Sequence, residues 1–300
     1  MKHAVTGAFG FLGKHIASRL LENGENVITL TNSVPKTASY STQMLVRPLD
    51  FSNIRQLENS LAGVDVLYNT YWVRFNHKNF SYAQAIQNSN KLFQAAKEVG
   101  VKRVIHISIT NPSVDSTLSY FKGKAIVENM LIDSGLSYCI LRPSVLFGAE
   151  GILINNIAWL LHHSFVFGIF GDGGYKLQPI FVDDLAVLAI KKGIHCDNCI
   201  INAVGPETFT YIELVRTVAN SMGKRRLLVS IPPMVGYVTS ALIGGLMRDI
   251  FITKDEIEGL MANLLYVPSP PVGTTKLTDW IANNIDSLGH CYANELCRRK

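Results

Sequence analysis

The sequence has little charge, and none of it is gathered in one place. Only 17% of its 300 residues are Asp, Glu, Lys or Arg, and the net charge of +5 is spread along the chain. "KKGIHCDNC" and the terminal "CRRK" are too short to track a phosphate backbone, so nucleic acid is not an expected partner. Cysteine is sparse as well. Cys139, Cys196, Cys199, Cys291 and Cys297 include one C-x-x-C and no second pair at zinc-ligand spacing, so no metal site is expected. Met1 leads straight into an apolar stretch, leaving no leader, so reduced thiols and a cytoplasmic location are the expectation. The longest apolar stretch, Leu227 to Met247, is interrupted by Pro232, Pro233 and glycines. It reads as a strand ending at Ile231 and then a helix, which leaves a peripheral membrane contact open. There is no internal repeat and no low-complexity run.

What is present starts at once: "HAVTGAFGFLGKHIASRLL" sets a short apolar stretch before Gly7, Gly10 and Gly13. Glycine costs backbone entropy, so a cluster of it marks a tight turn or a close approach. Apolar residues at 11, 12, 16, 17, 20 and 21 then follow helical spacing. A strand, a glycine turn and a helix can hold a dinucleotide pyrophosphate on the helix N-terminus; a plain turn is the alternative. Strand-like and helix-like segments alternate through the first half: "ENVITLT", "MLVRPLD", a helix over about 52–62, "VDVLYNT", "SYAQAIQNSNKLFQAAKEVG", "VKRVIHISI", "YFKGKAIVENMLIDSG" and "LSYCILRPSVLFG". This rhythm predicts a parallel sheet wrapped by helices. After about residue 150 it changes, with capping boxes at Thr210-x-x-Glu213 and Thr253-x-x-Glu256 and a helical tail from Thr278. The expected architecture is α/β, a Rossmann-type doubly wound parallel sheet in 1–150. Residues 151–300 return strands to that core and form a smaller C-terminal lobe closing over the cofactor.

The second informative stretch is "SYFKGKAIVENML", with Tyr120 and Lys124 four apart on one helix face. A phenol titrates near 10 and is a poor acid or base at neutral pH unless a cation favours its ionised form. Lys124 supplies that cation. Ser108 and Thr110 end the preceding strand and offer hydroxyls to a substrate oxygen.

In "TGAFGFLG", "YFKGK", "LRPSVLFG" and "QPIFVDDLA", over most of its length, the chain resembles the short-chain dehydrogenase/reductase superfamily in its extended or atypical branch. These are the NAD-dependent epimerase/dehydratase proteins. It is also similar to the NADPH-binding accessory-subunit branch associated with respiratory complex I and its bacterial relatives. The resemblance implies a cofactor-binding set of Gly7, Phe9, Gly10, Phe11, Leu12, Gly13, Thr31, Asn32, Asp50, Thr70, Tyr120, Lys124, Pro143 and Ser144. It makes Tyr120 the acid/base, Lys124 the ribose-holding partner, and Thr110, then Ser108, the hydroxyl group. Asp50 would face the adenine amine, or cap the helix beginning near Ser52. Asp183 would be a tether between lobes. Tyr71 and Trp72 follow the fourth strand as substrate walls or ordinary packing, with Arg74 beside them for an anionic group.

Two departures refine this. The second strand ends Leu30-Thr31-Asn32-Ser33 without the carboxylate that binds ribose hydroxyls, and Lys36 is nearby, so NADP is expected with NAD still open. Only nine residues separate Thr110 from Tyr120, fewer than in sugar-nucleotide epimerases. The expected function is an NAD(P)-dependent oxidoreductase of the short-chain dehydrogenase/reductase type acting on a carbonyl or alcohol, a small-molecule substrate. The alternatives are a non-catalytic NADP(H)-binding protein on a membrane or redox complex, and a sugar-nucleotide epimerase/dehydratase. Oligomeric state is left open.

Overall fold

The computed structural model describes residues 1–33 and 43–297; Lys36 and the last three residues of "CRRK" lie outside them. The chain divides into two compact units, Met1–Pro143 with Val182–Ala203, and Ser144–Phe181 with Val204–Lys300.

The first unit runs β1 (Lys2–Thr6), α1 (Phe11–Glu22), β2 (Asn26–Leu30), β3 (Leu45–Arg47), α2 (Ile54–Leu61), β4 (Val66–Asn69), α3 (Tyr82–Glu98), β5 (Arg103–Ile107), α4 (Ser119–Asp133) and β6 (Tyr138–Pro143). It closes with α5 (Val182–Gly193) and β7 (Cys199–Ala203). All seven strands are parallel, in the order β7-β6-β5-β4-β1-β2-β3. This is the expected Rossmann-type sheet. Strand order reverses between β1 and β4, the switch point outside which such sheets bind ligands. Strands β4 and β5 are buried along their whole length, which is why they read as continuous apolar runs rather than alternating ones. Ala4, Ile28, Leu67, Val104 and Ile140 pack with Leu57, Leu92 and Val127 of the helices in one core.

Side chains fix where the helices begin and end. Asn53 caps α2 by accepting from the Gln56 N–H, and Ser81 caps α3 by accepting from Gln84. Asp50 is therefore not the cap of α2. Its Oδ1 accepts from the Ser52 N–H at 2.8 Å and the Ser52 hydroxyl at 2.6 Å, forming a turn before the helix. The guanidinium of Arg47 donates to the carbonyls of Asn59, Ser60 and Ala62, covering the orphan C-terminal end of α2. Buried Arg103 does the same beyond α5, donating to the carbonyls of Lys192 and Asp197. Asp183 also departs from expectation. It pairs with Arg19, and with His15 at 3.5 Å, so it joins α5 to α1 inside one unit rather than linking lobes. Arg19 is 45% exposed, so this pair is worth at most about 1 kcal/mol and mainly sets helix register.

The second unit packs helices Ile152–His163, Tyr211–Ser221 and Leu277–Asn284 around Phe147, Phe167, Ile169 and Leu214. Strands Val166–Phe170 and Leu227–Ile231 pair in parallel, followed by the helices Pro233–Met247 and Lys254–Met261. Both expected capping boxes form, Thr210 with Glu213 and Thr253 with Glu256. The tail is less regular than its composition predicts: its helix stops at Asn284, because the following residues turn at Gly289, where φ is +74°. Among the described residues no helix is long and apolar enough to cross a membrane.

The glycine turn carries a stability prediction. An ideal Cβ on Gly13 would lie 2.2 Å from the Gly7 carbonyl oxygen, whereas one on Gly10 would lie 3.2 Å from the same atom. Helix propensity alone would make Gly13→Ala stabilising by up to about 1 kcal/mol. Backbone overlap should win, with Gly13→Ala destabilising by about 3 kcal/mol and Gly10→Ala staying within about 1 kcal/mol. Denaturant titration of both variants checks the order.

Candidate functional site

The first part of the site is the turn between β1 and α1. Gly7 has φ +66°, a conformation that favours glycine, and Gly13 packs on its carbonyl. Gly10 is the N-cap residue of α1 and contributes no side-chain cap, and the first turn carries no acidic residue. The N–H groups of Phe11, Leu12 and Gly13 therefore have no partner within the helix and no carboxylate competing for them. The Leu12 side chain is in the core, so only its backbone is available at the turn. Phe9 is half-buried within the turn, and the Phe11 ring meets His15 edge-on. This donor set suits the pyrophosphate of a dinucleotide.

Next to it, the switch point is cross-linked. The Thr6 hydroxyl accepts from the N–H groups of Thr70 at 2.8 Å and Tyr71 at 3.0 Å, and the Thr70 hydroxyl returns a bond to the Thr6 carbonyl. The hydroxyl of Thr70 is thus committed to β1. Asn69 Oδ1 accepts from Tyr71 N–H, so its Nδ2 is the donor to His106 Nδ1 at 3.1 Å. That assignment puts the ring proton of His106 on Nε2, which is buried with no hydrogen-bond partner among the described residues. Burial first, and Lys124 second, hold this imidazole well below its ordinary range, so it is neutral at physiological pH. Neither Asn69 nor His106 carries a motif; a histidine inside the apolar run "VIHIS" was the one available signal.

Helix α4 brings Tyr120 and Lys124 one turn apart, as their spacing predicts. Lys124 is 3% exposed, and its Nζ donates to the Ile107 carbonyl at 2.8 Å and stands 4.6 Å from the ring centroid of Trp72. Burial, only partly offset by Glu128, pulls its amine down to about 7. Glu128 is itself paired with Arg142, at 3.0 Å from Nε. Trp72 reaches this position because residue 123 is glycine: a Cβ there would meet the indole at 3.1 Å. The Tyr120 ring is met edge-on by Trp72, Tyr82 and Phe121. Trp72 and Tyr71 therefore pack as much as they wall: the Tyr71 hydroxyl accepts from Asn88, and its ring lies against Phe51. Arg74 has its guanidinium 5.8 Å from the Phe75 ring centroid, and its carbonyl accepts from Tyr82. Ser108 continues β5 with its backbone bonded to Leu141, and its buried hydroxyl has no partner among the described residues. Thr110 is fully buried, with its N–H on the Pro143 carbonyl.

Other expected cofactor contacts are already engaged. Asn32 uses both ends of its amide on Leu49, donating to its carbonyl at 2.7 Å and accepting from its N–H at 2.9 Å. Thr31 exchanges hydrogen bonds with the backbone of Ser33. Ser144 donates to the Leu265 carbonyl within the second unit. The Asp50 carboxyl is held low by the Ser52 hydrogen bonds.

Comparison with known proteins agrees with this geometry. Residues 7–153 match the family described as NAD(P)H-binding. The mitochondrial NADH-ubiquinone oxidoreductase 40 kDa subunit of Neurospora crassa is 28% identical over 275 residues, covering 85% of this chain and 69% of that protein. The mitochondrial NADH dehydrogenase [ubiquinone] 1 alpha subcomplex subunit 9 of Arabidopsis thaliana is 26% identical, covering 83% and 64%. The chain thus spans about two thirds of these relatives' length. Among solved structures, Citrobacter sp. triphenylmethane reductase complexed with NADP(H) superimposes with a TM-score of 0.79 at 18% identity, covering 96% of this chain and all of that one. The NADPH-dependent quinone oxidoreductase of Escherichia coli gives 0.76 at 22%, covering 94% and 99%. At these identities the structures show the shared fold. The family match and the relatives bear out the resemblance to the extended short-chain dehydrogenase/reductase branch.

The buried amine makes stability depend on pH in a definite direction. Between about 7 and the ordinary lysine value of 10.5, the unfolded chain holds a proton at Lys124 that the folded chain has released. The unfolded state binds more protons there, so stability rises with pH across that window; below it the burial cost is constant. Measured against Lys124→Met, which does not titrate, the wild type should gain roughly 1 kcal/mol per pH unit above pH 7. Denaturation series for both proteins at several pH values read this slope directly.

Proposed function

We propose that this chain is an NADP(H)-dependent oxidoreductase acting on a carbonyl or quinone-type substrate, with Tyr120 as the group that moves the proton. The observation that carries the reading is local. Tyr120 and a buried lysine share the first turns of α4, and the lysine donates to the carbonyl of Ile107, the residue before Ser108, whose hydroxyl has no partner among the described residues. A buried hydroxyl left unpaired costs about 1–3 kcal/mol, which a substrate oxygen accepting from it would offset. A bound nicotinamide nucleotide would supply the hydride. Gly7, Gly10 and Gly13 would bind its pyrophosphate through backbone N–H groups, and Ser108 would orient the substrate oxygen. Lys124, held by the Ile107 carbonyl, would keep positive charge near the Tyr120 phenol in its protonated form. NADP is favoured because β2 ends without a carboxylate to repel a 2′-phosphate, and Asn32 and Thr31 are tied to the backbone.

A second reading has its own observation. The Lys124 amine is enclosed by Trp72 and Ile107, and the relatives named above are complex I subunits. On that reading the nucleotide is bound without turnover.

Calorimetric titration with NADPH and NADH tests the shared premise. The wild type should bind NADPH more tightly, and Gly10→Val should abolish binding while the protein stays folded.

Turnover separates the two readings. A panel of ketones, aldehydes and quinones is followed by NADPH absorbance. Tyr120→Phe keeps the ring packing and loses only the phenolic oxygen, so it should lower the rate by roughly 10²–10⁴ with nucleotide affinity unchanged. Full activity in that variant would remove Tyr120 from the chemistry. NADPH binding with no substrate reduced would favour the subunit reading.

A further inference from the structure

The helix Pro233–Met247 is built inside out. Its sequence, PMVGYVTSALIGGLM, holds no charged residue. It turns its small side inward: Gly236, Ser240 and Gly244 are buried, at i, i+4 and i+8. A Cβ on Gly236 would run into Phe170 at 2.3 Å, so the small residues are what lets the helix seat. The large residues face water instead, with Leu242 71% and Met234 62% exposed and Val235 and Val238 close behind. An ordinary surface helix does the opposite.

The exposed apolar surface continues onto the strands beneath. Leu227 and Val166 are opposite one another in the parallel pair and both point outward, with Leu227 64% exposed. Phe165, 83% exposed, adjoins them with the Arg226 guanidinium 5.2 Å from its ring centroid. Along this stretch of chain the charge has one sign. From Leu214 to Arg248 there is no acidic residue, while Arg216, Lys224, Arg225, Arg226 and Arg248 are all cationic.

We propose that this face of the second unit docks on an anionic lipid surface, with the helix lying in the interfacial plane. Three features favour a bilayer over a protein partner. The helix offers few directional groups to read, since the Thr239 hydroxyl is turned back onto the Val235 carbonyl. Its fifteen residues span about 22 Å at 1.5 Å each, short of the roughly 30 Å needed to cross. Large exposed apolar residues joined in one acid-free stretch to Arg and Lys are a composition that inserts at headgroup depth. The proposal does not depend on the nucleotide or on catalysis.

The test is flotation of the full chain with vesicles of phosphatidylcholine, with and without phosphatidylglycerol. The protein should float with the anionic vesicles and much less with the neutral ones. Leu242→Glu should lower partitioning on the order of tenfold or more, and Arg225→Glu should lower it roughly fivefold on anionic vesicles only. Both positions are exposed, and unchanged melting and NADPH titration would show that each variant is intact. Absence of flotation with anionic vesicles overturns the proposal, as does flotation indifferent to Leu242→Glu. A dimer in sedimentation that Leu242→Glu disperses, with no vesicle binding, would assign the face to a second copy of the chain instead.

Discussion

The carbonyl of Gly7 and the Cα of Gly13 are so close that no side chain fits between them, a Cβ at Gly13 falling 2.2 Å from the oxygen. That contact fixes the first turn of α1 over the end of β1. From it follows the direction in which the N–H groups of Phe11, Leu12 and Gly13, unpaired within the helix, are aimed. The Thr6 and Thr70 hydroxyls then hold β1 and β4 in register at the strand reversal, so the floor beneath those donors is rigid. The glycines divide the work. Gly7 supplies the left-handed backbone, Gly13 the close approach, and Gly10 an uncapped helix end. Of the three, Gly10 is the one whose replacement costs the fold least, a Cβ there standing 3.2 Å from the Gly7 oxygen.

Beside this rigid turn lies a set of buried polar groups that the fold only partly satisfies. Asn69 is bonded at both ends of its amide, but His106 keeps one ring nitrogen and Ser108 its hydroxyl without partners among the described residues, and Lys124 carries a desolvated amine. Placed in an apolar core, such groups are costly, and they are gathered at the C-terminal edge of the sheet. Perturbed and unpaired groups concentrated at a switch point are the physical signature of a site shaped for something polar. Trp72 lies over Lys124 and shields its amine from one side.

Much of the first unit was legible in the sequence because fully buried parallel strands read as plain apolar runs and glycines punctuate them. The Tyr120–Lys124 pair was legible because i and i+4 share a helix face. Other features were not, and for definite reasons. Asp50 and Asn53 both suit a cap, and only the path of the chain decides for Asn53. Asp183 sits in a motif, but its partners His15 and Arg19 are more than 160 residues away. The clamp of the Asn32 side chain on the Leu49 backbone joins residues 17 apart, which sequence does not display. The two-residue ladders of the second unit, such as Leu146–Phe147 with Ile180–Phe181, are too short for any periodicity. The helix Pro233–Met247 reads as apolar whichever side is buried.

The two units are interleaved along the chain, and this bears on how the protein emerges from the ribosome. The sheet is left at Pro143 and regained only with α5 and β7, which ends at Ala203. Until that strand has been synthesised, β6 remains an open edge of apolar, parallel-pairing backbone, the kind of segment prone to wrong partners during slow folding. Meanwhile residues 144–181 wait for the chain beyond 204 before they acquire a core. Nascent chains arrested before β7 should therefore depend on chaperones more than those arrested after it.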